Sequence, residues 1–450
     1  MVAKHLSSNG FKLRFQRGSI FRKTANLSVM TAAGQFTFVL FLPLLSHLYT
    51  PADFGVFTVY LSLVNILGPV VSLKFDSALY GAASREEARP LLLLALISNA
   101  LVSLIAVGFF ASPVSVALAM PSTGLLVPIG LVLTGLWSTT SAWAIRNDAL
   151  STLATARFVQ PVLMTILQVV GSLAGSSSTI LIVAHIISHS VYSGLIFWKT
   201  LHKADLKQAI WNDAALLRGK AWDNRLFPLL VTPANVASQL VANAPPILMG
   251  LLYGAEIAGL CGMALRFVFA PIAIISLPLG HVFTSLICNS SDPAEVRRLG
   301  RKILATSFLI VCAPLLVFGA LAPLFAGPLL GDKWAATGQI ASALAVFAAG
   351  IALVTPFNET TSIFHFQKLR FIVEAITSVL VFATAFVSAF AGASALTTIW
   401  LLSAAGAFGS IYGMLRIWSM LQTALARRRS PESALEAAGR EPSRTPAYTP

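Results

Sequence analysis

Twelve apolar runs divide this 450-residue chain, at about 26–48, 54–73, 91–111, 123–145, 158–174, 179–198, 227–252, 260–287, 303–325, 335–364, 371–390 and 395–415. Most are close to the ~20 residues that a helix needs to cross a bilayer core. No globular core could hide so much apolar surface: 56% of the residues are hydrophobic and only 11% charged, whereas a soluble domain carries roughly 25% charged residues. In lipid every backbone N–H and C=O must find its partner inside the chain, and a helix does this locally. The expected fold class is therefore an all-α membrane protein of about 12 transmembrane helices. The tenth run is longer than a bilayer requires and contains Pro356, which predicts a kink or an early end there.

The basic residues orient the spans. Of 31 Lys and Arg, 29 fall in alternate segments: the N-terminus, 74–90, 146–157, 199–226, 288–302, 365–370 and 416–450. The intervening loops hold only Lys333, and Arg266 lies within a span. Positive charge stays on the cytoplasmic side, so both termini are expected there. The net charge of +14 is explained in the same way, and nucleic acid is not an expected partner. Residues 1–25 read as a basic cytoplasmic segment before an uncleaved first helix. The loop 199–226, with Trp211 and Trp222 among its lysines and arginines, predicts an amphipathic interfacial helix. The tail, 416–450, is rich in Arg, Pro, Ser and Glu and is expected to be disordered.

An internal repeat lies at an offset of 204 residues. Ala33, Gln35, Leu44, Leu48, Tyr49, Gly55 and Leu61 match Ala237, Gln239, Leu248, Leu252, Tyr253, Gly259 and Leu265. With six spans before each recurrence, residues 26–198 and 227–415 are expected to form two six-helix bundles of the same orientation, related by a parallel repeat. Transporters are often built this way, with the substrate between the halves.

Few polar groups lie within the spans. Arg266 is the sharpest candidate. Read from residue 260 it stands about six residues into span 8, about 9 Å along the axis. An arginine facing lipid at depth costs about 2.5–3.5 kcal/mol or more. Two readings fit it: an anion-binding group whose planar fork suits a diphosphate, or a side chain that snorkels to the outer interface. Asn235, Gln239 and Asn243 share one face of span 7. With Gln35 and Asn26 of span 1 they either line a hydrophilic cavity or bond between helices. Glu359 and Glu374 are the acids within spans and the candidates for binding a coupling ion, although Glu374 also stands four residues after Arg370, at ion-pair spacing. Lys74 and Asp76 end span 2 as either a charge anchor or a contact for an anionic head group. His185 and His189 share a face of span 6 without a third metal ligand, so no metal site is expected. Cys261, Cys288 and Cys312 have no metal spacing and read as small hydrophobes. No phosphate-binding loop, zinc-protease helix or nucleophile elbow is present. The expected outside loops carry only Asp53, Glu256 and Asp332 as acids, so an enzyme is not expected.

Three stretches carry a resemblance to a known family: FRKTANLSVMTAAGQFTFVLFLPLLSHLYTPADFGVFTVYLSLVNILGPVVSLKFDSALY (21–80), FPLLVTPANVASQLVANAPPILMGLLYGAEIAGLCGMALRFVFAPIAII (227–275) and LLGDKWAATGQIASALAVFAAG (329–350). Together they resemble the Wzx-type polysaccharide-biosynthesis flippases of the multidrug/oligosaccharidyl-lipid/polysaccharide exporter superfamily. The resemblance implies twelve helices in two bundles in a bacterial inner membrane. It also implies movement of undecaprenyl-diphosphate-linked oligosaccharide by alternating access. Asn235, Tyr253, Gly259 and Arg266 stand at family-like positions. Lys74-Phe75-Asp76 stands where the family often has Arg-Tyr-Glu, and the lysine lacks the bidentate fork. Implied partners are the lipid-linked oligosaccharide, membrane lipids, and the polymerase and glycosyltransferases of the pathway. No cofactor is expected, and a proton or sodium gradient is the candidate driving force. A cation exporter of the same superfamily, or less readily a polymerase or scaffold of the pathway, is the alternative.

Overall fold

The computed structural model describes residues 26–427, apart from 83, 113–122, 201–213, 277–278, 281–282, 285–286, 288–292, 359 and 364–365. Every regular element among the described residues is helical. Among the described residues, twelve helices are long and apolar enough to cross a membrane: Asn26–Leu48, Pro51–Val71, Glu86–Phe110, Leu126–Arg146, Leu150–Ala174, Ser178–Thr200, Phe227–Tyr253, Ala255–Ser276, Ala294–Leu330, Asp332–Asn358, Lys368–Phe390 and Ala395–Thr423. They are spans 1 to 12. Large apolar side chains point outward from spans 3, 9 and 11, including Leu104, Ile105, Leu324, Phe325, Val387 and Phe390. Water would make this surface untenable, and lipid makes it neutral.

Helix pairings follow the same order in both halves. Spans 2 and 4, 3 and 4, 4 and 6, and 5 and 6 pack together, as do 8 and 10, 9 and 10, 10 and 12, and 11 and 12. Span 1 packs on span 5, and span 7 on span 11. The halves meet where span 2 lies against spans 7 and 8. Because the spans alternate in direction, Lys and Arg gather at one end of the bundle, the basic end. The tight corners at 49–50, Gly254 and Gly331 lie at the other, the far end.

The repeat-matched residues meet each other at the far end. A Cβ on Gly55 would strike the Ala255 carbonyl and crowd the Gly259 nitrogen; a Cβ on Gly259 would strike the Pro51 carbonyl and crowd the Gly55 nitrogen. Pro51 and Ala255 are themselves one repeat apart, so the contact is reciprocal, as across a two-fold axis. Only glycine permits this approach of spans 2 and 8. The matched tyrosines serve as pins. Tyr49 donates to the Gln168 carbonyl of span 5 at 2.6 Å. Tyr253 donates to the Ala393 carbonyl after span 11 at 2.9 Å and lies 2.6 Å from the Thr398 hydroxyl. Tyr253→Phe should lower stability by about 1–2 kcal/mol, since Thr398 keeps Ser388 as a partner but the Ala393 carbonyl loses its donor. Thermal melting of the purified protein in detergent would check this, and an unchanged midpoint would refute it.

Side chains also cross between the halves at the far end. The Trp334 indole donates to the Ser46 carbonyl at 2.8 Å, and the Ser46 hydroxyl donates to the Leu330 carbonyl at 2.9 Å. Trp334 is fully buried and packs edge-on against Phe54, ring centroids 5.3 Å apart.

Several expected boundaries move. Span 5 starts at Leu150 rather than 158, because Leu153, Ala154 and Ala156 are buried, Leu153 and Ala156 in a cluster with Tyr192 and Ile196. Arg157 therefore lies within a span rather than in a loop. Span 8 starts at Ala255 rather than 260, directly after the Gly254 corner at φ 92°. Span 9 is continuous with a basic helix from Pro293, so Arg297, Arg298, Arg301 and Lys302 sit on a helical extension rather than a loop. Span 10 ends at Asn358, two residues after Pro356, and a short helix follows over Thr360–Ile363. The last helix runs to Arg427, so the expected disordered tail is helical over 416–427, and the rest of it lies outside the described residues. In the 199–226 linker a helix covers Ala214–Asp223. Its apolar residues are spread around the axis, so this part is not amphipathic, and Trp211 lies outside the described residues. Lys220 anchors it to Glu87 of span 3 at 3.2 Å.

Candidate functional site

A cavity of about 330 Å³ lies between the halves, walled by spans 1, 2, 7 and 8. Its polar lining is Gln35 from span 1, Thr58, Ser62 and Asn65 from span 2, Asn243 from span 7 and Arg266 from span 8. No carboxylate lines it among the described residues. Gln35 and Asn65, nearer the basic end, are exposed, whereas Phe54, Phe57 and Trp334 toward the far end are fully buried. The cavity is thus closed at the far end by the contacts just described.

Arg266 stands eleven residues after Ala255, about 16–17 Å along the helix. That is near the middle of a core of about 30 Å, and deeper than the boundary read from sequence implied. Its guanidinium lies 5.2, 5.0 and 5.1 Å from the rings of Phe38, Phe54 and Phe57. These rings hold it inside the protein, which rules out snorkelling to an interface. Three ring faces stabilise the charge, but they leave its hydrogen-bonding capacity unused: both terminal nitrogens are buried without a hydrogen-bond partner. The Thr58 hydroxyl is also buried without a partner. Gly262, one turn before Arg266, makes room for Thr58, since a Cβ there would overlap that side chain. Arg266 and Thr58 both line the cavity, and their unpartnered donors are enclosed just within its wall, with no acid beside them among the described residues. That set of donors suits an oxyanion.

The polar stripe on span 7 divides. Asn243 lines the cavity and accepts from the Asn65 amide at 3.2 Å, a bond between the halves. Its own amide donates to the Gln239 side chain at 3.0 Å. Gln239 thus supports the site through Asn243. Asn235 donates to the Val231 carbonyl of its own helix at 2.8 Å and does not line the cavity. Asn26 lies at the basic-end start of span 1, also outside the lining.

Lys74 and Asp76 are not brought to the cavity either. Leu73 (φ 47°) and Lys74 (φ 58°) adopt left-handed backbone that breaks span 2 at the basic end. Asp76 accepts from the Ser72 hydroxyl at 2.9 Å, and no ion pair joins it to Lys74 among the described residues. Glu374 lies 3.9 Å from Arg370, in a small pocket of about 20 Å³ within the second half, beside Asn358. Arg370 also donates to Ser238 at 3.2 Å. Glu359 lies outside the described residues. Cys261 and Cys312 are buried, and Cys288 is not described.

Sequence reasoning missed Thr58, Asn65 and Arg157. Thr58 and Asn65 are single polar residues in an apolar run and carry no signal of their own until span 8 is placed against span 2. Arg157 was readable only from the true start of span 5. It stacks over Trp137 of span 4, 5.6 Å from the ring centroid.

A family model described as "Polysaccharide biosynthesis protein" matches residues 44–339. No curated protein sequence matches the chain significantly. Among solved structures, the lipid II flippase MurJ in an inward closed conformation superposes with a TM-score of 0.68 at 14% identity, covering 90% of this chain and 91% of that one. An inward-facing multidrug-resistance MATE family transporter of the MOP superfamily superposes with a TM-score of 0.63 at 14% identity, covering 90% and 96%. A MOP superfamily transporter from Pyrococcus furiosus gives 0.62 at 13% identity, covering 91% and 96%. At these identities the likeness establishes the shared fold, and the match over residues 44–339, about two thirds of the chain, establishes the kinship: this chain belongs to the polysaccharide biosynthesis protein family.

Proposed function

We propose that this protein is a flippase for undecaprenyl-diphosphate-linked oligosaccharide, moving it from the inner to the outer leaflet of a bacterial inner membrane without making or breaking bonds. The observation that carries the reading is Arg266, a charged fork at mid-membrane depth that lines the cavity between the halves and keeps its donors buried and unpartnered. The basic end is assigned to the cytoplasm by the positive-inside rule. The head group enters from that side, its diphosphate meeting Arg266 and its sugars meeting Gln35, Asn65 and Asn243, while the polyprenyl tail stays in lipid. The cavity sits at the low end of the roughly 300–1,000 Å³ usual for ligand pockets, so the halves must part further for a full oligosaccharide. Rocking of the halves then parts the span 2–span 8 contact, opens the far end and releases the head group outside.

A cation exporter would need carboxylates where this cavity has Arg266 and amides, so the lining favours an anionic cargo. The test is reconstitution of the purified protein in vesicles with a fluorescent lipid-linked oligosaccharide, with and without proton and sodium gradients. The expected result is transfer of the labelled head group between leaflets, faster than in protein-free vesicles by tenfold or more (about 1.4 kcal/mol in barrier). Transfer at the protein-free rate in every gradient would overturn the proposal.

A further inference from the structure

A cluster inside the first half lies one ring away from Arg266 and has no part in the anion site. His185 and His189 stand one turn apart on span 6, ring centroids 4.2 Å apart. His185 is buried, and its Nδ1 lies 3.2 Å from the Tyr60 hydroxyl of span 2. The same ring packs against Phe57, centroids 6.4 Å apart, and Phe57 is one of the three rings around the Arg266 guanidinium. His189 packs against Trp137 of span 4 at 6.3 Å, and its Nδ1 is buried without a hydrogen-bond partner. Lipid-facing histidines would be costly at this depth. These two face the bundle interior, where ionisable side chains in membrane proteins mark ion and proton pathways.

The groups that surround the pair are specific. Span 2 contributes Tyr60, span 5 contributes Arg157 through its stack on Trp137, and span 8 contributes Arg266 across Phe57. Span 4 contributes Trp137 and the Ser141 hydroxyl, which lies 2.9 Å from Tyr192 on span 6 itself. Toward the basic end, Tyr80 and Asp76 follow span 2. No carboxylate touches either imidazole among the described residues. Two cations, Arg157 and Arg266, therefore flank the pair from opposite ends.

We propose that His185 and His189 form a proton-binding site linked to the anion site, holding one shared proton when a diphosphate occupies Arg266 and losing it when the diphosphate leaves. The proposal rests on the reading of Arg266 as a diphosphate site. Rings this close accept one proton on the pair, for which the unpartnered His189 Nδ1 is a free acceptor, and oppose a second by like-charge repulsion. Burial among apolar rings opposes even the first, and an uncompensated Arg266 adds to that opposition. A bound diphosphate cancels that charge, and the proton enters from bulk water. Linkage is reciprocal: if the anion favours the proton, the proton favours the anion by the same factor. The pair would thus couple head-group movement to a proton gradient without any acid in the cavity.

The probe is undecaprenyl diphosphate in detergent micelles with the full-length protein. Titration calorimetry in two buffers of different ionisation enthalpy reads the protons taken up on binding. The wild type should take up about one more proton per bound lipid than His185→Gln/His189→Gln, and its affinity should rise by up to about tenfold per pH unit lost. The double variant should still bind, within about tenfold of the wild type at pH 7.5. A second measurement needs no variant: the chain has seven histidines, so ¹⁵N spectra of histidine-labelled wild type can follow each ring as the lipid is added. Appearance of one imidazolium shared by the pair supports the proposal. Binding with both rings neutral, or equal uptake in the double variant, overturns it and leaves the anion site standing. No binding by the wild type overturns the anion site and the linkage together.

Discussion

Arg266→Ala is expected to abolish glycan export and to weaken binding of undecaprenyl diphosphate at least 30-fold. Removing one partner of a buried, hydrogen-bonded charge pair costs about 2–5 kcal/mol, and each 1.4 kcal/mol is tenfold in affinity. Arg266→Lys should fall between, because lysine keeps the charge but not the planar fork that meets two phosphate oxygens at once. Arg266→Met separates binding from folding. In the empty protein the guanidinium donors are buried without partners, a cost that a methionine of similar length would remove. Its thermal midpoint should therefore not fall, while binding is lost. A residue retained at the expense of stability is the signature of function. Wild-type export by a well-expressed Arg266→Ala protein would sink the binding role. A collapse in the midpoint of Arg266→Met would show that the arginine serves the fold, through Phe38, Phe54 and Phe57.

The second large effect is expected at the glycine contact. Gly259→Val should force spans 2 and 8 apart at the far end, because any Cβ there overlaps the Pro51 carbonyl, and backbone has no rotamer by which to give way. Overpacking of this kind costs about 1–3 kcal/mol or more, enough to bias the protein away from the closed far end by roughly five- to a hundred-fold. Gly55→Val should do the same, since its Cβ meets the equivalent Ala255 carbonyl. The measurement is labelling of a Thr58→Cys reporter, with Cys261, Cys288 and Cys312 replaced, by a membrane-impermeant maleimide added outside right-side-out vesicles. Labelling should be tenfold faster or more in either valine variant. Gly108→Val on span 3, where a Cβ meets open space, is the control and should label like the parent. Equal labelling in all three would show that this contact does not close the far end.

If Arg266 opposes the proton until a diphosphate neutralises it, then lipid-free Arg266→Met should protonate the His185–His189 pair at a higher pH than the lipid-free wild type. The same spectra read this directly, in a variant that keeps the aromatic cage.

Legibility differed by the range of the interaction involved. Helix number is local, so apolar run length was enough to read twelve spans. Boundaries were harder. Residues 150–157 have no long apolar run, and they join span 5 because they pack on span 6. That error hid Arg157. The polar stripe on span 7 was legible as a face, yet only Asn243 of its three members lines the cavity.

By itself, the sequence determined the solvent, the number of crossings, a single unusual arginine and a repeat whose Tyr-x5-Gly motif marked both halves. The physical reason is that each of these follows from transfer energies and spacings along one helix. Only the tertiary structure decided what they face. It set the matched glycines against each other and so made a closed far end from two corners 204 residues apart. It placed Arg266 among three phenylalanines drawn from spans 1 and 2, with its donors unpartnered, and so excluded the interface anchor. It also brought His185 within one ring of that arginine. Span 6 meets span 2, and span 2 meets span 8, through contacts between residues more than 100 positions apart, and no periodicity within a helix encodes them.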